Sequence, residues 1–344
     1  MKLSYVSLRS FRYADTLHPV QRAELYAALN RINILYMIKR AGSGHIGSSF
    51  SALDIITWLY LNELGPDDVF FSSKGHDCPA LYATLISLGR LPVDLLHQLR
   101  RPGGLPGHPT IDFSPTSSGS LGMGISKAKG MILANRLLGK KGRVFVMVGD
   151  GELQEGQNWE ALRTIDDYPE LTVIVDENGM QSDGSTLDNN LYNSYGLCVY
   201  GHDYDQIDLG LNTSQFLIAE TVKGKGVSFM EGLGEDGLYH YHSGAPSDLD
   251  YEMALVELTT HARSLFPILH LETVEVETMA RPVNPLIQAY SEALVRWGRQ
   301  NEKIVVLDAD LMVDCGLKPF RDAFPDRFFE CGIAEQDMVS MAGA

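Results

Sequence analysis

The stretch RVFVMVGDGELQEG, Arg143 to Gly156, decides how the chain is read. Its apolar run ends in Gly149-Asp150-Gly151, and two further acids, Glu152 and Glu155, follow within five positions. An unbroken apolar run of this length reads as a strand buried on both faces. The helical GQNWEALRTIDD comes next, then a second apolar run, LTVIVD. Together they form a β-α-β unit whose right-handed crossover brings the chain back parallel to its start. Three carboxylates this close repel one another unless a cation or a proton lies among them.

Moving outward, four helical stretches precede this unit. VQRAELYAALNRINILYMIKRAG stops at Gly42, and SALDIITWLYLNEL reads as capped by Ser51 and Asp54. CPALYATLISLGRL ends near Gly89, and SLGMGISKAKGMILANRLLG starts among glycines that permit close approach of a ligand or another backbone. Downstream, LIAETVKGKG adds a strand, LYHYHSGAPSD a turn-rich loop and DLDYEMALVELTTHARSLF a helix. The expected fold class is therefore α/β: a doubly wound, mostly parallel sheet with helices on both faces.

Residues 1–19 read as an N-terminal extension, 20–267 as the first domain and 268–285 as a linker. From 286 to 344 a helix, the strand KIVVLDADL and the segment RFFECGIAEQDM begin a second α/β domain. Some 60 residues are too few to bury the core of a doubly wound domain, so this second domain reads as incomplete.

The bulk numbers are those of a globular chain: 344 residues, 44% hydrophobic and 21% charged. A formal net charge of -16 argues against nucleic acid and anionic membranes as partners. No apolar run is long enough to span a bilayer. The first residues have neither an apolar core nor a small-residue cleavage site, and Asp15 comes early for a transit peptide. Cys78, Cys198, Cys315 and Cys331 form no CxxC and read as free thiols of a reducing, cytoplasmic compartment.

Ligands of open parallel sheets bind beyond the carboxyl ends of the strands. Asp150 lies past one such end and Asn178 past the next. A carboxylate and an amide oxygen, with a backbone carbonyl nearby, suit Mg²⁺ or Ca²⁺ completed by diphosphate oxygens and water. On the residues alone, a solvated turn with a helix-capping aspartate explains the same pattern. Four histidines, His45, His76, His108 and His242, sit in Gly/Ser/Pro-rich loops beside helices. They suit hydrogen bonding to hydroxyls or phosphate and proton transfer near neutrality, while structural roles remain the alternative. Zinc is disfavoured, because there is no HExxH and His240-x-His242 has no partner spacing. GSLGMG reads GxxGxG rather than GxGxxG, and VKGKG lacks P-loop spacing, so neither supports a nicotinamide or nucleoside triphosphate site.

GDG followed by Asn178, with SGHIGSS, SKGHDCPALYATL, LPGHP and TVKGKGVSFME in order, resembles the transketolase family, and within it the split two-subunit bacterial and archaeal forms. The resemblance runs from about 20 to 245 and resumes from about 285. It implies a thiamine diphosphate-binding fold in which a diphosphate-binding domain precedes a pyrimidine-binding one. Asp150, Asn178 and the Met180 carbonyl would bind Mg²⁺, for which Ca²⁺ or Mn²⁺ can substitute. Gly151 and His76 would lie at the diphosphate, and Gly119, Leu121 and Gly149 would line the cofactor site. His45, His108 and His242 would face donor and acceptor sugars, with His240 competing for the last position. Glu335 would hydrogen-bond the aminopyrimidine ring, and Asp310 would approach the thiazolium. Glu155 and Glu160 match acids that couple paired sites through the interface between protomers.

The implied activity is transfer of a two-carbon ketol unit from a ketose to an aldose-type acceptor, with a sugar or sugar phosphate as substrate. The implied partner is a second polypeptide supplying the rest of the pyrimidine domain and a C-terminal domain, in a homodimer or heterotetramer. The alternatives are a 1-deoxyxylulose-5-phosphate synthase-like enzyme, which shares GHIGS and GIAEQ, and a non-catalytic truncated relative that binds partners. The glutamate after GDG, SKGH and LPGHP favour transketolase.

Overall fold

In the computed structural model, which describes residues 1–181, 196–276 and 284–343, the chain begins with a strand rather than a loose extension. β1 (Lys2–Val6) pairs antiparallel with Leu271–Glu275, inside the stretch read as a linker. Leu3 and Tyr5 alternate inward, and the Val6 N–H donates to Asn33 Oδ1 at 2.8 Å. Each segment supplies the partner that the other's backbone needs. Residues 277–283 of the expected linker lie outside the described residues.

Helices α1 (Leu8–Phe11), α2 (Pro19–Ala41) and α3 (Ile46–Trp58) follow. α2 opens with proline and closes at Gly42, whose φ of 71° lets its N–H return to Ile38 O at 3.1 Å. α3 starts five residues before Ser51, so Ser51 and Asp54 are not its caps. Ser51 instead donates to Asp176 Oδ2 at 2.7 Å, and Asp54 pairs with Arg31 at 2.5 Å. Both side chains are spent on tertiary contacts that no local pattern reveals.

Next come β2 (Val69–Ser72), α4 (Cys78–Ser87), α5 (Gly124–Leu137), β3 (Val144–Gly149), α6 (Gly156–Leu162) and β4 (Leu171–Glu177). They are followed by β5 (Leu197–Tyr200), α7 (Tyr204–Thr213), β6 (Phe216–Glu220), α8 (Asp248–Leu265) and β7 (Leu271–Glu275). β2 and β5, four residues each, are too short to stand out in the sequence.

The five strands of the central sheet are all parallel, in the order β2-β3-β4-β6-β5. Successive side chains point to opposite faces. Phe145, Met147, Ile174 and Leu217 therefore join the core built with α2, α3 and α4, while Val144, Val146, Val148 and Val173 pack with α5 and α6. The expected α/β sheet with helices on both faces is what the chain builds. Its strands end along one edge, which sets Ser73, Asp150, Asn178 and Lys223 near one another.

A smaller unit contains α9 (Pro285–Gln300), β8 (Val306–Asp308), α10 (Lys318–Ala323), β9 (Phe328–Glu330) and α11 (Glu335–Gly343). β8 and β9 form a two-stranded parallel pair over Leu294, Val306, Met312, Leu317 and Phe320. Among the described residues, no helix is long and apolar enough to cross a membrane.

Candidate active site at the sheet edge

Register places Gly149 of β3 beside Asp176 of β4, so Asp150 and Asn178 emerge together. Asp150 Oδ2 accepts the N–H groups of Asn178 at 2.9 Å and Gly179 at 2.7 Å, and Oδ1 accepts Gly151 N–H at 2.8 Å. Asn178 Oδ1 accepts Met180 N–H at 3.2 Å, and the Met180 carbonyl accepts Lys223 Nζ at 2.5 Å. These residues line a small hollow of about 50 Å³ that also borders Gly149, Gly151, His76 and His242. Burial pushes the Asp150 carboxyl above its ordinary range, against Lys223 and with Asp176 adding to the push. Burial also brings Lys223 down to about 8, although Asp150 pulls the other way.

The donors here are one carboxylate, one amide oxygen and one carbonyl. Among the described residues, no cluster of three His, Cys, Asp or Glu is suited to hold a metal. A hard cation would thus draw its remaining oxygens from a bound anion or water, which fits a metal–diphosphate pair and not a self-sufficient protein cage.

A buried ion pair adjoins this floor, and its lysine, Lys74, also lines the hollow. Lys74 bonds Asp176 and stands 3.5 Å from Asp77. Asp176 also accepts Thr221 Oγ1 at 2.5 Å. Burial works against its charge, but Lys74, Thr221 and Ser51 outweigh burial and hold the carboxyl below its usual range. Motif spacing does not single out Lys74 or Asp176, and it shows Lys223 only as part of a glycine-rich turn. Their one signal is a charge placed at the end of a buried strand or between loop glycines.

Glu152 likewise has no role that the sequence assigns. It is 2% exposed and ties three segments together: it accepts Ser73 Oγ–H, Gly122 N–H at 2.9 Å and Gly149 N–H at 3.1 Å.

The histidines gather on the opposite wall. The His45 ring lies 5.1 Å from His76, 5.5 Å from His242 and 6.1 Å from His108. Burial lowers His45 to about 3, with Arg100, His108 and Lys223 adding to it. Burial sets His76 and His242 well below the normal histidine range, and with Arg100 it also lowers His108. All four are neutral imidazoles at pH 7. Among the described residues, Nδ1 of His45 and of His242 is buried without a hydrogen-bond partner, as suits a polar ligand. His240 is exposed and bonded to Asp236 at 2.9 Å, outside the cluster.

A groove of about 500 Å³ continues from the hollow toward the smaller unit, lined by His76, Gly119, Leu121, Glu155, His242, Asp310 and Glu335. Gly119 has φ of 119°, and a side chain there would meet the His108 ring at 2.8 Å. Asp310 borders both spaces, with φ of 56° and its N–H donating to Glu330 Oε1 at 2.8 Å. Burial, a hydrogen bond to Glu335 and its like charge raise Glu155 to about 7. The chain's own Glu335 faces Glu155 across the groove. Ile333 N–H donates to Gln154 Oε1 at 2.5 Å and seats this segment. Glu160 is exposed on α6 and lines neither space.

Fold and site together define an α/β protein with a hollow bordered by charged and polar side chains at the carboxyl edge of a parallel sheet. Residues 8–191 match the family model described as 1-deoxy-D-xylulose-5-phosphate synthase. Transketolase of Rattus norvegicus is 30% identical over 357 residues, covering 91% of this chain and 56% of the relative. One of the subunits of an apulose-4-phosphate transketolase from Actinobacillus succinogenes is 32% identical over 262 residues, covering 67% of this chain and 93% of that relative. Transketolase structures from Leishmania mexicana and Campylobacter jejuni match the fold with TM-scores of 0.56 and 0.58, at 19% and 20% identity. Each match covers 92% of this chain and 61% of the other. The chain belongs to the transketolase family. It spans little more than half, 56%, of the length of the rat transketolase it matches.

Proposed function

We propose that this chain is part of a thiamine diphosphate- and Mg²⁺-dependent transketolase, moving a two-carbon ketol group from a ketose or its phosphate to an aldose-type acceptor. The observation that carries the reading is one continuous space. Asp150 and Asn178, 28 positions apart, are joined at its floor, His76 and His242 line it with the His45 ring packed against both, and Glu335 borders its outer part.

Asp150, Asn178 and the Met180 carbonyl would hold the metal, and Gly149, Gly151 and His76 would border the diphosphate. When bound, thiamine diphosphate supplies the carbanion chemistry that makes and breaks the sugar carbon–carbon bond. The protein's work is positioning and proton handling. Neutral His45, His108 and His242 can donate to, or accept from, sugar hydroxyls without the electrostatic penalty of a buried imidazolium. Glu335, held against Glu155, can share a proton with a basic ring nitrogen. Leu121 and Asp310 would line the cofactor's path between the two units.

A second polypeptide would complete the smaller unit, in a homodimer or heterotetramer. Support comes from the Actinobacillus succinogenes relative, which is itself named as one of the subunits of its enzyme and whose length this chain almost covers. A cytoplasmic location fits the four free cysteines.

Calorimetric titration of thiamine diphosphate with and without Mg²⁺, followed by ketose cleavage with the companion polypeptide present, tests the reading. Absence of cofactor binding even with that companion refutes it and favours a non-catalytic partner-binding role. The match to the 1-deoxy-D-xylulose-5-phosphate synthase model keeps a second enzymatic reading in view. Formation of 1-deoxy-D-xylulose 5-phosphate, rather than ketol transfer from a ketose, would select it.

A further inference from the structure

Glu152 sits where three segments of the cofactor site meet, and both its oxygens are committed. Oε1 accepts Gly122 N–H at 2.9 Å together with the Ser73 hydroxyl, and Oε2 accepts Gly149 N–H at 3.1 Å. Ser73 Oγ in turn accepts Gly124 N–H at 3.0 Å, and the Glu152 carbonyl accepts Asn158 Nδ2 at 2.6 Å. Glu152 takes part in none of the ion pairs formed among the described residues. A carboxylate buried this way acts through geometry: it gives two backbone segments a common anchor.

The segments it joins lie at different ends of the site. Gly149 and Gly151 border the small hollow, Gly119 and Met123 border the groove, and Leu121 touches both. The loop between them has little room to slide. Gly122 has φ of 83°, and a side chain there would meet Glu155 Cβ at 2.7 Å; one at Gly124 would meet Ser73 Cβ at 2.3 Å. We propose that Glu152 is a positioning residue that locks the 119–124 loop to the Gly149–Gly151 turn, setting the separation between the diphosphate floor and the wall that receives the cofactor's rings. This rests on the thiamine diphosphate reading above.

Glutamine at 152 would offer one acceptor oxygen where two are used, and its amide NH₂ would face a backbone N–H. One arm of the tie would be lost while the Asp150 contacts stay intact.

The test titrates two probes, each with Mg²⁺, into wild type and Glu152→Gln: inorganic diphosphate, which reads the floor alone, and thiamine diphosphate, which spans both ends. We expect diphosphate affinity to stay within about threefold and thiamine diphosphate affinity to fall by roughly tenfold or more, the scale of one lost charge-assisted hydrogen bond. Before any ligand is added, amide exchange of Gly122 and Gly124 should quicken selectively in Glu152→Gln. Gly122→Ala, which displaces the loop and leaves Glu152 untouched, should give the same split between probes. Equal losses of both probes, or unchanged exchange at Gly122, would overturn the inference. Wild type that binds diphosphate but not thiamine diphosphate would refute the functional reading, and faster exchange in Glu152→Gln would then mark a tie without a cofactor role.

Discussion

Glu155 and Glu335 face each other across the groove with their carboxyls joined by a hydrogen bond. The contact links the parallel sheet to the smaller unit, and it needs a proton. Two carboxylates in contact cannot both ionise at ordinary cost.

Docking of the smaller unit should therefore depend on pH. Burial and Glu335 raise Glu155 from 4.5 to about 7. The folded state thus binds this proton more tightly than the unfolded state does. The stabilisation is full below about pH 4.5 and is lost as pH rises through about 7. Amide exchange of Ile333 should accelerate over the upper part of that window, and Glu155→Gln should flatten the dependence. A profile identical in wild type and variant would count against the shared proton.

Asp150→Ala should remove two things at once. Mg²⁺ should no longer strengthen thiamine diphosphate binding, as read by titration with and without the metal. The N–H groups of Gly151, Asn178 and Gly179 would also lose their acceptor, so stability should fall by about 1–3 kcal/mol for each group left dry. Unfolding in urea measures the second effect. Unchanged cofactor affinity would remove Asp150 from the site.

His45, at the centre of the histidine cluster, should stay neutral well into acid. His45 is lowered to about 3 by burial first, then by Arg100, His108 and Lys223. The unfolded chain binds a proton near pH 6.5 that the folded chain refuses, so stability contributed by this residue falls as pH drops from about 6.5 toward 3. Nitrogen chemical shifts of the His45 imidazole at pH 5 should show the neutral ring. An imidazolium signal at that pH would contradict the arrangement.

Lys74→Met should be among the most damaging single changes. It leaves Asp176 buried without its cation, and breaking a buried pair costs about 3–5 kcal/mol. Chemical denaturation should show this loss in the absence of any ligand, because both members of the pair are buried. A loss confined to cofactor affinity would mean that Lys74 acts on the ligand instead.

Much of the scaffold is legible because burial writes itself into local patterns. RVFVMV and LTVIVD announce β3 and β4, and Gly42 marks the end of α2, since only a left-handed residue closes a helix in that way. β2 and β5 escape notice because four residues carry too little periodicity. The β1–β7 pair escapes because its halves are separated by most of the chain. Ser51 and Asp54 mislead for a related reason: a polar residue near an apolar run looks like a cap until its distant partner is known.

The sequence by itself determined the parallel sheet, the turn after β3 and the oxygen-bearing residue types of the proposed metal site, since these follow from hydrophobic runs and loop chemistry along neighbouring positions. Only the tertiary structure decided which charges are paired and which groups are neutral. Lys74 meets Asp176, Lys223 meets the Met180 carbonyl, Glu152 ties Gly122 to Gly149, and Glu155 meets Glu335. Protonation and pairing depend on burial and on neighbours brought in from distant positions, which local sequence does not encode. The crowded acids of GDGELQEG separate only there: Asp150 lies on the floor, Glu152 acts as the tie and Glu155 meets the opposite wall.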